Sequence, residues 1–239
     1  MAELKSYVRS LERSRQALTR TDRPEMFALA NREWDVLGGV FSPAFSATTR
    51  VAMEVLGLVG DEEPDFWRCN GSFLEIGSGT GIIAVSAALA GCERVVATDI
   101  NPDAVRNTEI NAARHDMADR VRVVHSDLFS ALDPAERFDT VYWHSNFVLA
   151  PDDYRYETEH ERAYVDPGYR THRRYLVEAP GLLTEGGSAL LQFSDRGDLS
   201  LLHDMAAECG RTLRVLDGRS FLEGEERIEH LLLEIVVAD

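Results

Sequence analysis

The stretch Leu74-Glu75-Ile76-Gly77-Ser78-Gly79-Thr80-Gly81 decides the fold of this chain. Phe73 and the apolar residues at its start have the character of a buried strand end. Three glycines at alternate positions then form a turn that is tighter than residues with side chains permit. The Ala-rich run that follows, residues 82–90, suits a helix packed on a sheet. Strand, glycine turn and helix in this order predict the nucleotide-binding corner of a doubly wound α/β fold.

The acid in this stretch narrows the class of nucleotide. A carboxylate at Glu75 would repel a pyrophosphate, but it could accept hydrogen bonds from a cationic ligand that carries an amine. A dinucleotide-binding fingerprint has a glycine where Ile82 stands and seldom has an acid where Glu75 stands. A flavin or NAD enzyme would also need further halves of the fold that 239 residues hardly allow. The sequence therefore disfavours a dinucleotide.

Length, charge and cysteine content limit the classes of protein and partner that are possible. The chain is long enough for one α/β domain with a modest extension. Its net charge of −16 argues against nucleic acid as a partner, because phosphates would be repelled. Cys69, Cys92 and Cys209 lie far apart without metal-ligand spacing, and no apolar run approaches the length of a membrane span. We therefore expect a cytoplasmic protein with no metal site and no membrane partner.

Strands and helices are predicted to alternate after an N-terminal extension. Residues 1–70 indicate a helical cap that is not an independent domain. It has an amphipathic helical pattern over 2–31, interrupted near Pro24, and a second helix over 46–58. Residues 71–239 form the predicted ligand-binding domain. Its predicted strands are 72–76, 93–99, 121–125, 138–143 and 186–193, and its predicted helices are 79–90, one opened by Asn101, 169–179 and 199–209. Two final apolar runs, 212–215 and 228–237, complete a doubly wound, mainly parallel sheet with an antiparallel C-terminal edge strand.

Acids follow successive strands of this predicted sheet. In open parallel sheets, ligands bind beyond the carboxyl ends of the strands. Asp99 ends the second strand, where its carboxylate could accept both hydroxyls of a ribose. Asp127 follows the third strand and could accept from an adenine amino group, with Leu128 packed on the ring. One such acid alone is more often a solvated strand end or a helix cap. Glu75, Asp99 and Asp127 together, at successive strand ends beside a glycine turn, favour a binding site.

These residues resemble a known family. Residues 75–81 are similar to the first motif of class I S-adenosylmethionine-dependent methyltransferases, and Ala97-Thr98-Asp99-Ile100 resembles the segment with their ribose-binding acid. Val40-Phe41-Ser42-Pro43 and the Asn146 region follow the order of the release-factor glutamine and ribosomal-protein methyltransferases. The resemblance implies a Rossmann-like fold and S-adenosyl-L-methionine as cofactor. The residues that it implies as cofactor-binding are Phe41, Glu75, Gly77, Ser78, Gly79, Thr80, Gly81, Asp99, Ile100, Asp127, Leu128 and Asn146.

The substrate motif departs from that subgroup. Those enzymes have Asn-Pro-Pro-Tyr after the fourth strand, and its Asn and a backbone carbonyl hold the amide nitrogen that is methylated. This chain has Asn146-Phe147-Val148-Leu149, so both prolines and the tyrosine are absent. We therefore expect this chain to use the same cofactor as that subgroup but not to methylate glutamine. The expected acceptor is a small molecule, methylated at an amine or amide nitrogen in a natural-product pathway.

Two residues are candidates for catalysis. Asn146 could orient the acceptor by accepting from its N–H group, or it could be only a turn residue after a strand. His144 could act as a base, although a lone histidine at a strand end is more often structural. Aromatic residues could form a wall around a sulfonium or a cationic amine, with core packing as the alternative for each: Trp34, Phe41, Trp143 and Phe147. An acidic loop over residues 151–167 is predicted to lie over the site and could select a cationic substrate, or it could be a solvated surface.

Two other activities stay open at this stage. A site without the usual substrate motif could let the cofactor's amino group attack its own γ-carbon, giving azetidine-2-carboxylic acid and methylthioadenosine, as some methyltransferase-like cyclases do. The second alternative is a protein glutamine N-methyltransferase. A protein that binds the cofactor without catalysis is a third reading.

Overall fold

A seven-stranded sheet lies at the centre of the structure, a computed structural model that describes residues 6–59, 71–223 and 226–237. The strands are β1 (Met26–Leu29), β2 (Arg32–Asp35), β3 (Ser72–Ile76), β4 (Arg94–Asp99), β5 (Val121–His125), β6 (Phe138–His144), β7 (Leu149–Ala150), β8 (Asp166–Pro167), β9 (Leu183–Ser194), β10 (Arg211–Glu223) and β11 (Glu226–Val237). The helices are α1 (Tyr7–Thr19), α2 (Thr48–Val55), α3 (Ile82–Leu89), α4 (Pro102–Arg114), α5 (Arg170–Glu178) and α6 (Leu199–Glu208).

The sheet order is β10-β11-β9-β6-β3-β4-β5. Strands β3, β4, β5, β6 and β9 pair in parallel, whereas β11 is antiparallel to both of its neighbours. This confirms the predicted doubly wound, mainly parallel sheet. The antiparallel strand is not at the edge, however, because β11 lies between β9 and β10. Its buried run over residues 232–235 suits an interior position, since interior strands are covered on both faces.

Helices cover both faces of the sheet. On one face, α2, α3 and α4 pack in a single hydrophobic core with Phe73 and Tyr142 from the strands. On the other face, α5 and α6 pack with Phe138 and Phe193. A smaller cluster joins Leu11 of α1 to the residues that follow β6. Within the described ranges, no helix is long and apolar enough to cross a membrane.

The N-terminal extension differs from its prediction. Helix α1 ends at Thr19, and β1 and β2 form a hairpin in place of the helical pattern that the sequence indicates up to residue 31. The hairpin turns at Ala30 and Asn31, which both have positive φ angles of 55° and 57°, as two-residue hairpin turns require. The helix ends before Pro24 is reached, because Arg20 already has an extended backbone. The division at residues 70/71 stays a prediction, and Cys69 and the predicted loop over residues 60–64 lie outside the described residues.

Candidate active site

The glycine turn joins β3 to α3 in a left-handed backbone. Gly77, Gly79 and Gly81 have φ angles of 68°, 55° and 78°. A Cβ atom added at Gly81 would lie 2.7 Å from Thr108 Cγ2 and 2.8 Å from Thr108 Cα, so this glycine permits the close approach of α4. At Gly79 an added Cβ would meet no atom within 4 Å. The space beside the middle of the turn is therefore open, whereas Gly81 packs against the protein.

Asp99 is fixed at the carboxyl end of β4 by the turn itself. Its Oδ2 accepts from the Gly79 N–H and its Oδ1 from the Asn101 N–H, both at 2.9 Å. Burial raises the pKa of the Asp99 carboxyl, whereas these backbone hydrogen bonds lower it. Each carboxylate oxygen has a further lone pair. The arrangement therefore fits a pair of hydroxyl groups such as those of a ribose.

Glu75 has a structural role that the sequence did not indicate. Its side chain is buried, and Oε2 accepts from the Ala84 N–H at 2.8 Å, in the first turn of α3. Gly81 precedes this helix and has no side chain to cap it, so Glu75 satisfies one of the unpaired N–H groups. Burial raises the pKa of Glu75 well above that of a solvated glutamate, and the charge of Asp99 adds to this. Contact between Glu75 and an amine of the cofactor stays a prediction.

A cavity of about 530 Å³ lies over the carboxyl ends of β3, β4 and β6. Helix α1 contributes to its wall through Ser10, Arg13 and Ala17. Gly81 and Trp34 are not among the lining residues; Trp34 is fully buried in the core and donates to the Leu29 carbonyl at 3.0 Å. The predicted site residues that line the cavity are Phe41, Glu75, Gly77, Ser78, Gly79, Thr80, Asp99, Ile100, Asp127, Leu128, Trp143, His144, Asn146 and Phe147.

Asp127 has a protein partner in the structure. Its two carboxylate oxygens accept from Arg174 Nη1 at 2.8 and 2.9 Å, and both side chains are largely exposed. Leu128 beside it is buried and has a positive φ of 51°. The predicted hydrogen bond from an adenine amino group would therefore share the carboxylate with an arginine. That role stays a prediction.

Asn146 presents an unpaired acceptor. Its Nδ2 donates to the Arg162 and Val165 carbonyls at 2.9 and 2.8 Å. These two acceptors fix which end of the amide is the nitrogen. Its Oδ1 is buried and has no hydrogen-bond partner among the residues that the structure describes. The side chain thus holds the loop in place and leaves its own oxygen without a partner among the described residues.

His144 lies in the same wall, two residues before Asn146 along the chain. Burial lowers its pKa to about 4, so its imidazole is neutral at physiological pH. The ring of His230 lies 6.1 Å away, edge to face, and burial together with the charge of His144 lowers the pKa of His230 to about 3. A neutral imidazole can hold a hydrogen bond, but with so low a pKa it is a weak base.

The acidic loop is arranged differently from its prediction. Glu161 is buried and accepts from the Tyr154 hydroxyl and the Glu157 N–H, both at 2.8 Å. Glu159 lines the cavity, but it pairs with Arg162 at 2.7 Å. Both acids therefore have their partners within the loop itself. The loop does lie against α1, where Ser14 Oγ and His160 Nδ1 are 2.7 Å apart.

Sequence reasoning missed several lining residues that come from distant parts of the chain. Arg13, Gln16 and Ala17 of α1 line the cavity, as do His160 and Arg196. The spacing of residues 10, 13 and 17 places them on one helix face, which is a signal for a shared surface. Nothing local identifies what that face covers, because the cavity is completed by segments more than a hundred residues away.

Comparison with known proteins gives consistent matches. The family model described as ribosomal protein L11 methyltransferase (PrmA) matches residues 45–143. The release factor glutamine methyltransferase of Bordetella pertussis is 32% identical over 164 residues, covering 65% of this chain and 58% of that protein. The ribosomal protein uL3 glutamine methyltransferase of Burkholderia pseudomallei is 31% identical over 138 residues, covering 52% of this chain and 45% of that protein. This chain thus spans about half the length of these curated relatives.

Solved structures support the fold. The crystal structure of a ribosomal protein L11 methylase from Lactobacillus delbrueckii subsp. bulgaricus has a TM-score of 0.55 at 18% identity, covering 84% of this chain and 82% of that one. At this identity the match shows the architecture alone. It is the Rossmann-like sheet expected from the glycine turn.

The comparisons correct the expected acceptor. A small-molecule substrate is wrong as the partner, because the relatives are named for methylating ribosomal proteins and release factors, which are proteins. They also give no support to natural-product biosynthesis. The expected cofactor is confirmed, since this family and fold imply S-adenosyl-L-methionine as methyl donor. The comparisons therefore support a class I S-adenosylmethionine-dependent methyltransferase that is related to the subgroup of the ribosomal-protein and release-factor enzymes.

Proposed function

We propose that this protein transfers a methyl group to the side-chain amide nitrogen of a glutamine in a protein substrate. The observation that carries the proposal is the buried, unpartnered Oδ1 of Asn146 at the end of β6. An acceptor oxygen there can hold only a group with a hydrogen to donate, and a primary amide presents two N–H donors. The names of the relatives support the same substrate class.

The altered motif changes how the amide would be held. In the related subgroup, Asn and a backbone carbonyl share this task. Here the Phe147 carbonyl already accepts from the Tyr169 hydroxyl at 2.6 Å. The oxygen of that carbonyl has a second lone pair, so both it and the unpartnered Asn146 Oδ1 could accept from the amide. The loss of the two prolines is compatible with glutamine as substrate, but it gives the acceptor site a different wall, formed in part by Phe147.

The chain has groups that fit the cofactor. Asp99 would bind the ribose hydroxyls, and the open backbone beside Gly79 would allow the cofactor to approach the turn. S-adenosylmethionine would supply the methyl group from its sulfonium: the S–CH3 bond breaks as the N–CH3 bond forms, the neutral thioether adenosylhomocysteine leaves, and one amide proton is lost to solvent. The task of the protein is then to exclude water and to align the acceptor nitrogen. Asn146 would orient the amide, and α1 with the loop would keep solvent out of the cavity.

The test is to find the methylated atom. Purified protein, S-adenosylmethionine with a labelled methyl group and a mixture of ribosomal proteins and release factors are incubated together, and mass spectrometry locates the label. We expect methylglutamine on a protein and adenosylhomocysteine in equal amount, with no product from heat-treated enzyme. Label confined to lysine, or methylthioadenosine formed without any acceptor, would contradict the proposal.

A further inference from the structure

Strand β10 is a free edge of the central sheet. Within the described residues it pairs with β11 alone, so its other side presents main-chain N–H and C=O groups that have no strand beside them. A bulge between Val215 and Asp217 interrupts the pairing, and from Asp217 to Glu223 the register is unbroken. We call residues 218–223 the docking edge. A free edge of this kind is a template for a further strand.

The docking edge extends beyond the neighbouring strand of the sheet. Strand β9 pairs with β11 only as far as Ser194 and His230, and Asp195 adds one hydrogen bond, from its N–H to the Glu229 carbonyl at 3.0 Å. The pairing of β10 with β11 continues past this point to the last residue of β10. The end of β10 is therefore half of a two-stranded arm. Two strands alone are only marginally stable, so pairing with a third strand would stabilise the arm.

The arm forms part of the cavity wall, through Phe221 and Leu222. Leu222 is 72% exposed, more than any other large apolar side chain in the described part of the chain. A lining residue with so much exposure lies at the mouth of the cavity, where a ligand that enters can cover it. The docking edge contains no proline, which would remove a donor from the edge, and its arginine, Arg219, pairs with Asp217 at 3.1 Å.

Two ring contacts connect the docking edge to Asn146. The Phe221 ring stacks on His230 with centroids 5.6 Å apart, and the Phe147 ring meets the same imidazole at 5.4 Å, nearly perpendicular to it. Phe147 follows Asn146 directly and lines the cavity as well. One buried histidine ring thus separates the edge from the acceptor position. Since an extended chain advances about 3.3 Å per residue, a strand beside Phe221 would reach Asn146 within about five residues.

We propose that the docking edge binds the acceptor protein by main-chain pairing with an extended segment next to the acceptor glutamine. This inference rests on the proposed function, because it takes the acceptor to be a protein. Main-chain hydrogen bonds would supply affinity with little demand on sequence, and the side chain opposite Leu222 would add an apolar contact. A second copy of the chain fits less well, because the bulge at residues 215–217 leaves only a short regular edge and a copy there would cover the cavity mouth.

Backbone-methylated peptides test the pairing. The probes are fluorescent peptides with one glutamine and a run of about five alternating Val and Thr residues on its N-terminal or its C-terminal side. Binding is measured by fluorescence anisotropy with adenosylhomocysteine present. An added strand turns every second N–H towards β10. We therefore expect one N-methyl group at alternate positions of the run to weaken binding about tenfold or more, and at the positions between them less than about threefold. Equal effects at all positions, or no binding of either peptide, would overturn the inference.

Two exposed apolar residues of β10 give a matched pair of variants. Leu222→Ser should weaken binding of the probe about threefold or more. Val215→Ser, at a side chain that is 55% exposed on the other side of the bulge, should leave binding unchanged. Urea unfolding checks that both variants are folded, and an equal loss of binding in both would contradict the docking edge. A dimer in sedimentation that Leu222→Ser converts to a monomer would show that the edge holds a second copy, which also overturns the inference.

The binding assay involves no methyl transfer, so it separates this inference from the proposed function. An alternating pattern supports pairing of an extended segment at the docking edge even if no protein is methylated on glutamine. Conversely, methylglutamine on a protein together with equal effects of N-methylation at every position would overturn the inference and leave the proposed function intact.

Discussion

Replacing Asn146 by alanine should cost stability as well as activity. The substitution removes two N–H donors, at 2.9 Å from the Arg162 carbonyl and 2.8 Å from the Val165 carbonyl. A buried carbonyl that loses its donor costs about 1–3 kcal/mol. The Val165 carbonyl keeps a second donor, the Tyr156 hydroxyl at 3.1 Å, so the cost at this carbonyl lies at the low end of that range. We therefore expect the free energy of unfolding to fall by about 2–4 kcal/mol.

Urea unfolding followed by circular dichroism measures this loss, and the methylation assay measures the activity. Asn107→Ala is the control, because Asn107 also makes two hydrogen bonds: it donates to the Asp35 carbonyl at 2.9 Å and accepts from the Leu37 N–H at 2.8 Å. Asn107 is fully buried, whereas Asn146 is half-buried, and Asn107 does not line the cavity. Both variants should lose comparable stability, and only Asn146→Ala should lose methyl transfer under conditions where both are folded. A stability loss below about 0.5 kcal/mol, or full activity in Asn146→Ala, would refute the reasoning.

Three further substitutions probe the cofactor end. Asp99→Ala should weaken S-adenosylmethionine binding about 100-fold or more in calorimetry, since two charge-assisted hydrogen bonds are lost; unchanged affinity would mean that the ribose is elsewhere. Gly81→Ala should destabilise the protein more than Gly79→Ala in urea unfolding, because both have positive φ but only Gly81 would clash with Thr108; equal losses would argue against that packing role. Burial raises the pKa of Glu75 in the folded state, so its contribution is present below the ordinary value of 4.5 and is lost as pH rises. The stability of Glu75→Gln relative to the original protein should therefore increase from pH 4 to pH 8, and parallel pH profiles would contradict this.

Local patterns were enough to predict the sheet and the edge at which the cavity lies. Strands β3 and β5 have the predicted bounds, because short apolar runs between polar turns leave little choice of register. Asp99 could be placed because the carboxyl ends of parallel strands share one edge of the sheet. The glycines were recognised from spacing alone. What spacing could not separate is Gly79, which borders open space, from Gly81, which borders Thr108.

Long-range contacts decided what the sequence could not predict. Met26, Phe27 and Leu29 have a spacing that suits a helix, but their strand pairs with a second one across a tight turn. Trp34 then points into the core and not into the cavity. Glu75 is a helix cap because a glycine happens to occupy the position before α3. The wall of the cavity includes both residue 13 and residue 196, a combination that no local pattern encodes.

Asn111 makes the extension and the glycine turn parts of one thermodynamic unit. Its buried amide accepts from the Asp35 N–H at 2.8 Å and donates to the Asp35 carbonyl at 3.0 Å and to the Thr80 carbonyl at 2.8 Å. We therefore expect a ligand that rigidifies residues 77–80 to stabilise the hairpin as well, and by reciprocity we expect the hairpin to favour the ligand-bound turn. Trimming the chain to its sheet would leave buried polar groups of α4 without partners. Residues of the cavity wall that do not touch Asn111 can thus change without breaking this link, whereas loss of the hairpin that carries Asp35 removes it.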